Sequence, residues 1–206
     1  MWWCAIPLCI VVASQTPGFE PETLYRGDID HGGFGGPVVK LTEIADEFGV
    51  IAGVRGGWII DHRLTLGAGV YGMASQNMEL DPMEIGGVPG QEYRLEVGYA
   101  GLELEFAAQP HRLMHVTLQT LVGGGGVAYL EGERAGHWDD EDAQTLSSDG
   151  FFIAEPGINL ELNVAKPFRV ALGASYRFVT DVDLQGLANE DLSGLGATIT
   201  LKFGSF

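Results

Sequence analysis

Cysteine is nearly missing from this chain. The two present, Cys4 and Cys9, both fall among the first ten residues. A chain without that segment has no thiol, which excludes disulfides and cysteine-based metal sites. Bases are scarce too: 11 Lys and Arg stand against 28 Asp and Glu, a formal net charge of -17. A nucleic-acid binder shows a basic stripe instead. The chain is 46% hydrophobic, yet no apolar run approaches the roughly 20 residues that a membrane helix needs. There is no internal repeat, P-loop or dinucleotide-binding fingerprint. The glycines at Gly123–Gly126 lie inside an alternating pattern with no helix after them, so they do not read as a phosphate cradle. What is abundant is glycine, 31 of 206 residues, roughly double the usual share of about 7%. The length allows one domain, and an all-β barrel of this size is ordinary.

The first 14 residues, MWWCAIPLCIVVAS, read as a signal peptide. An apolar stretch ends in small residues, and Val11 with Ala13, or Val12 with Ser14, fills the cleavage positions. No Lys or Arg stands near Met1; a buried N-terminal strand is the alternative, though two adjacent Trp and a Pro suit a strand poorly. Ile6, Pro7 and Leu8 before Cys9 do not make a lipoprotein cleavage site. A secreted destination follows. Residues 15–34 are polar and acidic, with Glu20, Glu22, Asp28 and Asp30, and read as an irregular arm.

From Gly35 to the end, eight segments alternate with period two. In one, Phe152, Ala154, Pro156, Ile158, Leu160, Leu162 and Val164 oppose Ile153, Glu155, Gly157, Asn159, Glu161 and Asn163. In another, Phe168, Val170, Leu172, Ala174, Tyr176 and Phe178 oppose Arg169, Ala171, Gly173, Ser175 and Arg177. The fourth segment changes phase: Leu95 and Val97 are apolar, then Leu102 and Leu104. A bulge, or a strand top standing clear of a membrane, accounts for that. Alternation alone fits a soluble sandwich or a barrel, so the links decide. Asp61–Arg63, Gln109–His111 and Lys166–Pro167 are short. The links at about 75–92, 130–149 and 180–191 are long, and only the first link on that side, around Ala45–Glu47, is short. Short turns at one end and long loops at the other are the pattern of an outer-membrane barrel. Trp58, Phe106, Phe168 and Phe203 all lie on the apolar face at the short-turn end, and Tyr129, Phe152 and Phe178 near the long-loop end. Two aromatic girdles bounding an apolar band are what membrane interfaces select. A soluble lipocalin-like binder is the rival; it would point its apolar residues inward.

The chain thus resembles the small bacterial outer-membrane barrels of the OmpA/OmpX type, over residues 35–206 and the signal-like start. The last segment, Gly196 through Ile199 and Leu201 to Phe203, looks like the C-terminal assembly signal of such proteins, with Phe203 or Phe206 as its terminal aromatic. The resemblance implies an eight-stranded antiparallel up-and-down barrel in the outer membrane of a Gram-negative-type cell. It also implies short turns toward the periplasm, lipid around the wall and recognition by the barrel-assembly machinery. A monomer is expected.

The inward face carries Lys40, Arg55, Arg169, Arg177 and Lys202 against Glu103, Glu105, Glu155 and Glu161, with His115 beside them. An eight-stranded barrel is barely wide enough for its own side chains. Charges held there need partners, so these residues read as an ion-pair network, with Arg55, Arg177, Glu103 and Glu155 at its centre. A plugged lumen follows; a narrow porin-like or small-molecule passage is the alternative. A lipid-modifying enzyme would need a nucleophile, base and acid together. His115 and Ser175 both face inward, but nothing in the sequence brings them together, and no catalytic residue is assigned. The long links hold fifteen acids against one base, Arg134, and so fourteen of the seventeen excess negatives. No cofactor is expected beyond weak Ca²⁺ or Mg²⁺ binding at Asp139, Asp140 and Asp142, whose spacing is not that of an EF-hand. The function expected is structural or surface-interacting rather than enzymatic.

Overall fold

The computed structural model describes residues 30–45, 47–75, 82–83, 85–131 and 145–206. Eight strands follow one another: β1 (His31–Ile44), β2 (Glu47–Ile60), β3 (Leu64–Met73), β4 (Tyr93–Ala108), β5 (Met114–Glu131), β6 (Thr145–Ala165), β7 (Phe168–Thr180) and β8 (Gly194–Ser205). Each pairs antiparallel with the next, and β8 pairs with β1 to close the ring. Closure leaves no open sheet edge around the ring. At the closing seam the backbones come very close. A Cβ at Gly36 would lie 1.7 Å from the carbonyl oxygen of Leu201, so only glycine fits there. β1 starts at His31 rather than Gly35, so the last residues expected in the arm belong to the wall.

The turns at 61–63, 109–113 and 166–167 share one end of the barrel with both strand termini, and the long links share the other. The first, Ile60–Arg63, is closed by the Arg63 amide donating to the Ile60 carbonyl at 3.1 Å. Asp61 and His62 have φ of 51° and 56°. A type I′ hairpin turn needs positive φ at both central residues, and Asp and His tolerate it better than most.

The outward face is apolar over a broad band. Leu66, Val70, Leu102, Val122, Phe152, Ile158, Leu172 and Leu195 are all exposed on it. Trp58, Phe106, Phe168 and Phe203 close that band at the short-turn end, and Phe168 stacks on Phe203 with centroids 4.8 Å apart. The rival lipocalin-like arrangement, with apolar residues inward and polar ones outward, is thereby excluded for this part of the wall. Phe206 is not part of the girdle: its ring lies 4.0 Å from the Arg169 guanidinium carbon and 6.3 Å from the ring of Phe34.

Two expectations need correction. β4 carries no bulge; its register with β3 and β5 runs unbroken. Tyr93, Leu95, Val97, Tyr99, Glu103 and Glu105 all lie on its buried face. The phase does not slip; the side chains on the inner face change from apolar to charged along the strand. The register shifts fall elsewhere, at Tyr129/Leu130 and at Asn163/Ala165. The second correction is Tyr129. It is 0% exposed and points inward, so the long-loop girdle keeps Phe152 and Phe178 and loses Tyr129.

Candidate functional site

Among the described residues the inner face of the ring is where the strands gather ionisable side chains in quantity, and it divides into two stacked regions. Toward the short turns the residues are charged. Lys202 Nζ on β8 lies 2.6 Å from Glu105 Oε1 on β4 and 2.6 Å from Glu161 Oε2 on β6, so one ammonium ties three walls. Glu161 also accepts from Arg169 at 3.0 Å. Arg55 on β2 reaches both acids of β4. Its Nε lies 2.6 Å from Glu103 Oε2, an ion pair outside hydrogen-bond geometry, and its Nη2 donates to Glu105 Oε2 at 2.9 Å. Lys40 on β1 meets Glu155 on β6 at 2.7 Å. The two groups of charges join through Tyr71: Lys40 Nζ sits 3.8 Å from the centre of its ring, and its hydroxyl donates to Glu103. A low-dielectric interior makes each of these contacts strong and makes any unpaired charge costly.

Neighbouring groups add to the coordination, among them the Tyr99 hydroxyl, which accepts from Lys40 at 3.1 Å and donates to Glu155 at 3.2 Å. Ser175 donates to Glu155 Oε1 at 2.6 Å, and Gln119 accepts from Arg55 Nη1. Space for Glu103 and Tyr71 comes from Gly69, where a Cβ would lie 2.6 Å from both side chains.

Eight of the ten expected lumen residues form the pairs of this region. Arg177 does not sit at its centre. Its Nε donates to the carbonyl of Leu192 and its Nη2 to the carbonyl of Glu43 at 3.3 Å, both at the long-loop end. It fastens backbone rather than pairing a carboxylate there. The reason is position: Arg177 lies on the last part of β7, opposite Gly194 where β8 begins. His115 is also set apart. Its Nε2 is 3.5 Å from Glu161 Oε1, and neither ring nitrogen has a hydrogen-bond partner among the described residues.

Toward the long loops the inner face turns apolar. Ile51, Tyr93, Leu95, Val97, Val127, Tyr129, Phe151, Ile153 and Val179 form one buried cluster. The links add Ile85, Leu184 and Leu187, and the short helix α1 (Asn189–Leu192) adds Leu192, 1% exposed. Hydrogen bonds to its backbone carbonyls hold the last link over the mouth. Tyr129 donates to the Gln185 carbonyl at 3.1 Å, and the Ala45 amide donates to Asp191 at 2.8 Å. The sequence reading missed this apolar layer. Its signal was the unbroken odd-numbered phase from Tyr93 to Glu105.

His115 and Ser175 are not assembled as a catalytic pair. His115 faces Glu161, and in the ladder Glu161 lies opposite Ala171. Ser175 is four residues further along β7, about 13 Å of strand at a 3.3 Å rise. It is already engaged with a different carboxylate, Glu155. Asp139, Asp140 and Asp142 lie outside the described residues, and the described residues hold no cluster of three or more metal-ligating side chains.

This architecture is that of the small eight-stranded outer-membrane barrels of the OmpA/OmpX type. Among solved structures the chain is similar to Neisserial surface protein A, with a TM-score of 0.54 and 9% identity over 86% of this chain and 99% of that one. It is similar also to the N-terminal β-barrel domain of OprF from Pseudomonas aeruginosa, with a TM-score of 0.50 and 8% identity over 84% and 96%. No family model matches the sequence, and no curated protein matches it. At such identities the likeness is one of fold.

Proposed function

We propose that the protein is a non-enzymatic outer-membrane barrel with a closed lumen, serving a structural or surface-interaction role. Its long acidic links face the cell exterior and its short turns the periplasm. The wall contacts outer-membrane lipid, the last strand engages the barrel-assembly machinery, and the protein works as a monomer. The acids of the described links, among them Glu92, Asp181, Asp183 and Glu190, are exposed and give the outer surface its negative charge. Weak Ca²⁺ or Mg²⁺ association with the acidic links, Asp139, Asp140 and Asp142 included, belongs to the same reading.

The observation that carries it is the mutual pairing of the lumen charges. Lys40, Arg55, Arg169 and Lys202 each meet a glutamate inside the ring. A conducting pore would keep such groups hydrated and facing a channel. The apolar layer above them adds a second barrier to water and ions. The test is conductance: purified protein in planar bilayers gives no steady channels, and reproducible unitary currents would replace this reading with a passage.

A further inference from the structure

The exposed charges are sorted by end. At the long-loop end the described surface is acidic, with Glu43, Glu92, Asp181, Asp183 and Glu190 against one base outside the lumen, Arg94. At the short-turn end the described bases outnumber the described acids by one, three against two, in a chain whose total is -17. Each of the three turns there carries one exposed base: Arg63 between β2 and β3, Arg112 between β4 and β5, and Lys166 between β6 and β7. Among the described residues none of the three has an ion-pair partner. The described acids of that rim are Asp30 and Asp61, and Asp30 is engaged by His62 at 3.4 Å.

Depth gives this rim its meaning. Lys166 is two residues from Phe168, and Trp58 is two residues from the end of β2, just before the Arg63 turn. Aromatic girdles settle at the level of the lipid headgroups, so bases immediately beyond them stand among phosphates. Between the second and third turns a recess of about 710 Å³ opens, lined in part by His111, Lys166 and Arg169. It leaves room for an anionic group beside the rim.

We infer that the short-turn rim is a docking surface for anionic phospholipid headgroups, which its three bases hold around the barrel foot. The inference rests on the membrane reading above and concerns which lipid the wall prefers. A zwitterionic headgroup has no net charge to offer, whereas each base near an anionic lipid surface adds about fivefold to the attraction.

The experiment uses the full chain in nanodiscs of equal phosphatidylcholine and phosphatidylglycerol, with the lipids retained on the protein counted by native mass spectrometry. The expected result is a phosphatidylglycerol preference of fivefold or more, falling below about twofold when Arg63→Glu, Arg112→Glu and Lys166→Glu are combined. About 0.5 M salt shortens the Debye length and reduces the wild-type preference in the same way. Asp181→Asn with Glu190→Gln, at the other end, leaves it unchanged. Equal retention of both lipids by the wild type overturns the inference, as does a preference that survives the triple reversal or that the distal pair abolishes. Heat-modifiable migration on gels reports the folded barrel independently. A wild type that lacks it sinks the membrane reading, and this inference with it, through a readout separate from the lipid count.

Discussion

The two halves of the lumen solve one packing problem in opposite ways. In the half toward the short turns, charged side chains point inward and apolar ones outward, the reverse of a water-soluble protein. On β4 this is Glu103 and Glu105 inside with Leu102 and Leu104 outside. In the half toward the long loops, Tyr93, Leu95 and Val97 point inward while Arg94 and Glu96 pair with each other outside at 3.4 Å. That is the ordinary arrangement of a soluble core. The same straight strand therefore passes from one regime to the other. On the membrane reading proposed above, the level at which apolar character changes face is where surrounding lipid would give way to water. Wall and loops are also of different kinds. The lower half is held by paired charges across the ring, the upper by apolar side chains of strands and links collapsed together.

The contrast breaks most sharply at Arg55, which is 5% exposed and holds both Glu103 and Glu105. Arg55→Ala leaves two carboxylates buried with one less partner each. Uncoupling a buried pair in this way costs about 3–5 kcal/mol. Urea unfolding of the refolded barrel in detergent, followed by tryptophan fluorescence, reads that loss. A cost below about 1 kcal/mol would mean that water already reaches these carboxylates.

A smaller loss is expected on the other side of the boundary. Leu192 is the apolar contribution of α1 to the cluster, while its backbone carbonyl holds Arg177. Leu192→Ala removes buried methyl groups and leaves that carbonyl in place. We expect about 2–3 kcal/mol, at the lower end of Leu→Ala losses because a four-residue helix in a link can settle into the gap. Unfolding at low and high salt separates the halves: the cost of Leu192→Ala stays constant. Salt dependence at Leu192 would show that the apolar layer draws its strength from the charges beneath it.

Much of this is legible in the sequence alone. Strand number, the outward band and the short-turn girdle follow from period two, turn residues and link lengths, and the up-and-down barrel from the family resemblance. Those features are local or one-dimensional. Which carboxylate meets which base was not legible, because that depends on the stagger of eight strands around a ring. Lys202 and Glu105 lie 97 residues apart. Arg177 shows the limit: its inward phase was readable, but its height relative to α1 was not, and height decides whether a guanidinium meets a carboxylate or a carbonyl. Leu95 and Val97 show a choice the sequence left open. They are in phase with Glu103, so of the two readings of the phase change the bulge is absent, and a strand top standing clear of a membrane is the one that fits.

His115 gives the smallest expected effect and the finest test of the lower half. It is enclosed by the network, with side-chain exposure of 0%, yet neither ring nitrogen makes a hydrogen bond among the described residues. Glu161, its nearest acid, is already engaged by Lys202 and Arg169. Burying an unpartnered polar group is unfavourable, and replacing it with an apolar group of similar size removes that penalty. The lost packing of a slightly smaller side chain acts the other way. His115→Leu should therefore change the unfolding free energy by no more than about 1 kcal/mol, in either direction. It should also leave any ester or lipid hydrolysis by the purified protein at background. A loss of about 3 kcal/mol or more would make His115 a working member of the charge network, held through bridging water. Hydrolysis that is present in the wild type and abolished in His115→Leu would reopen the enzymatic reading.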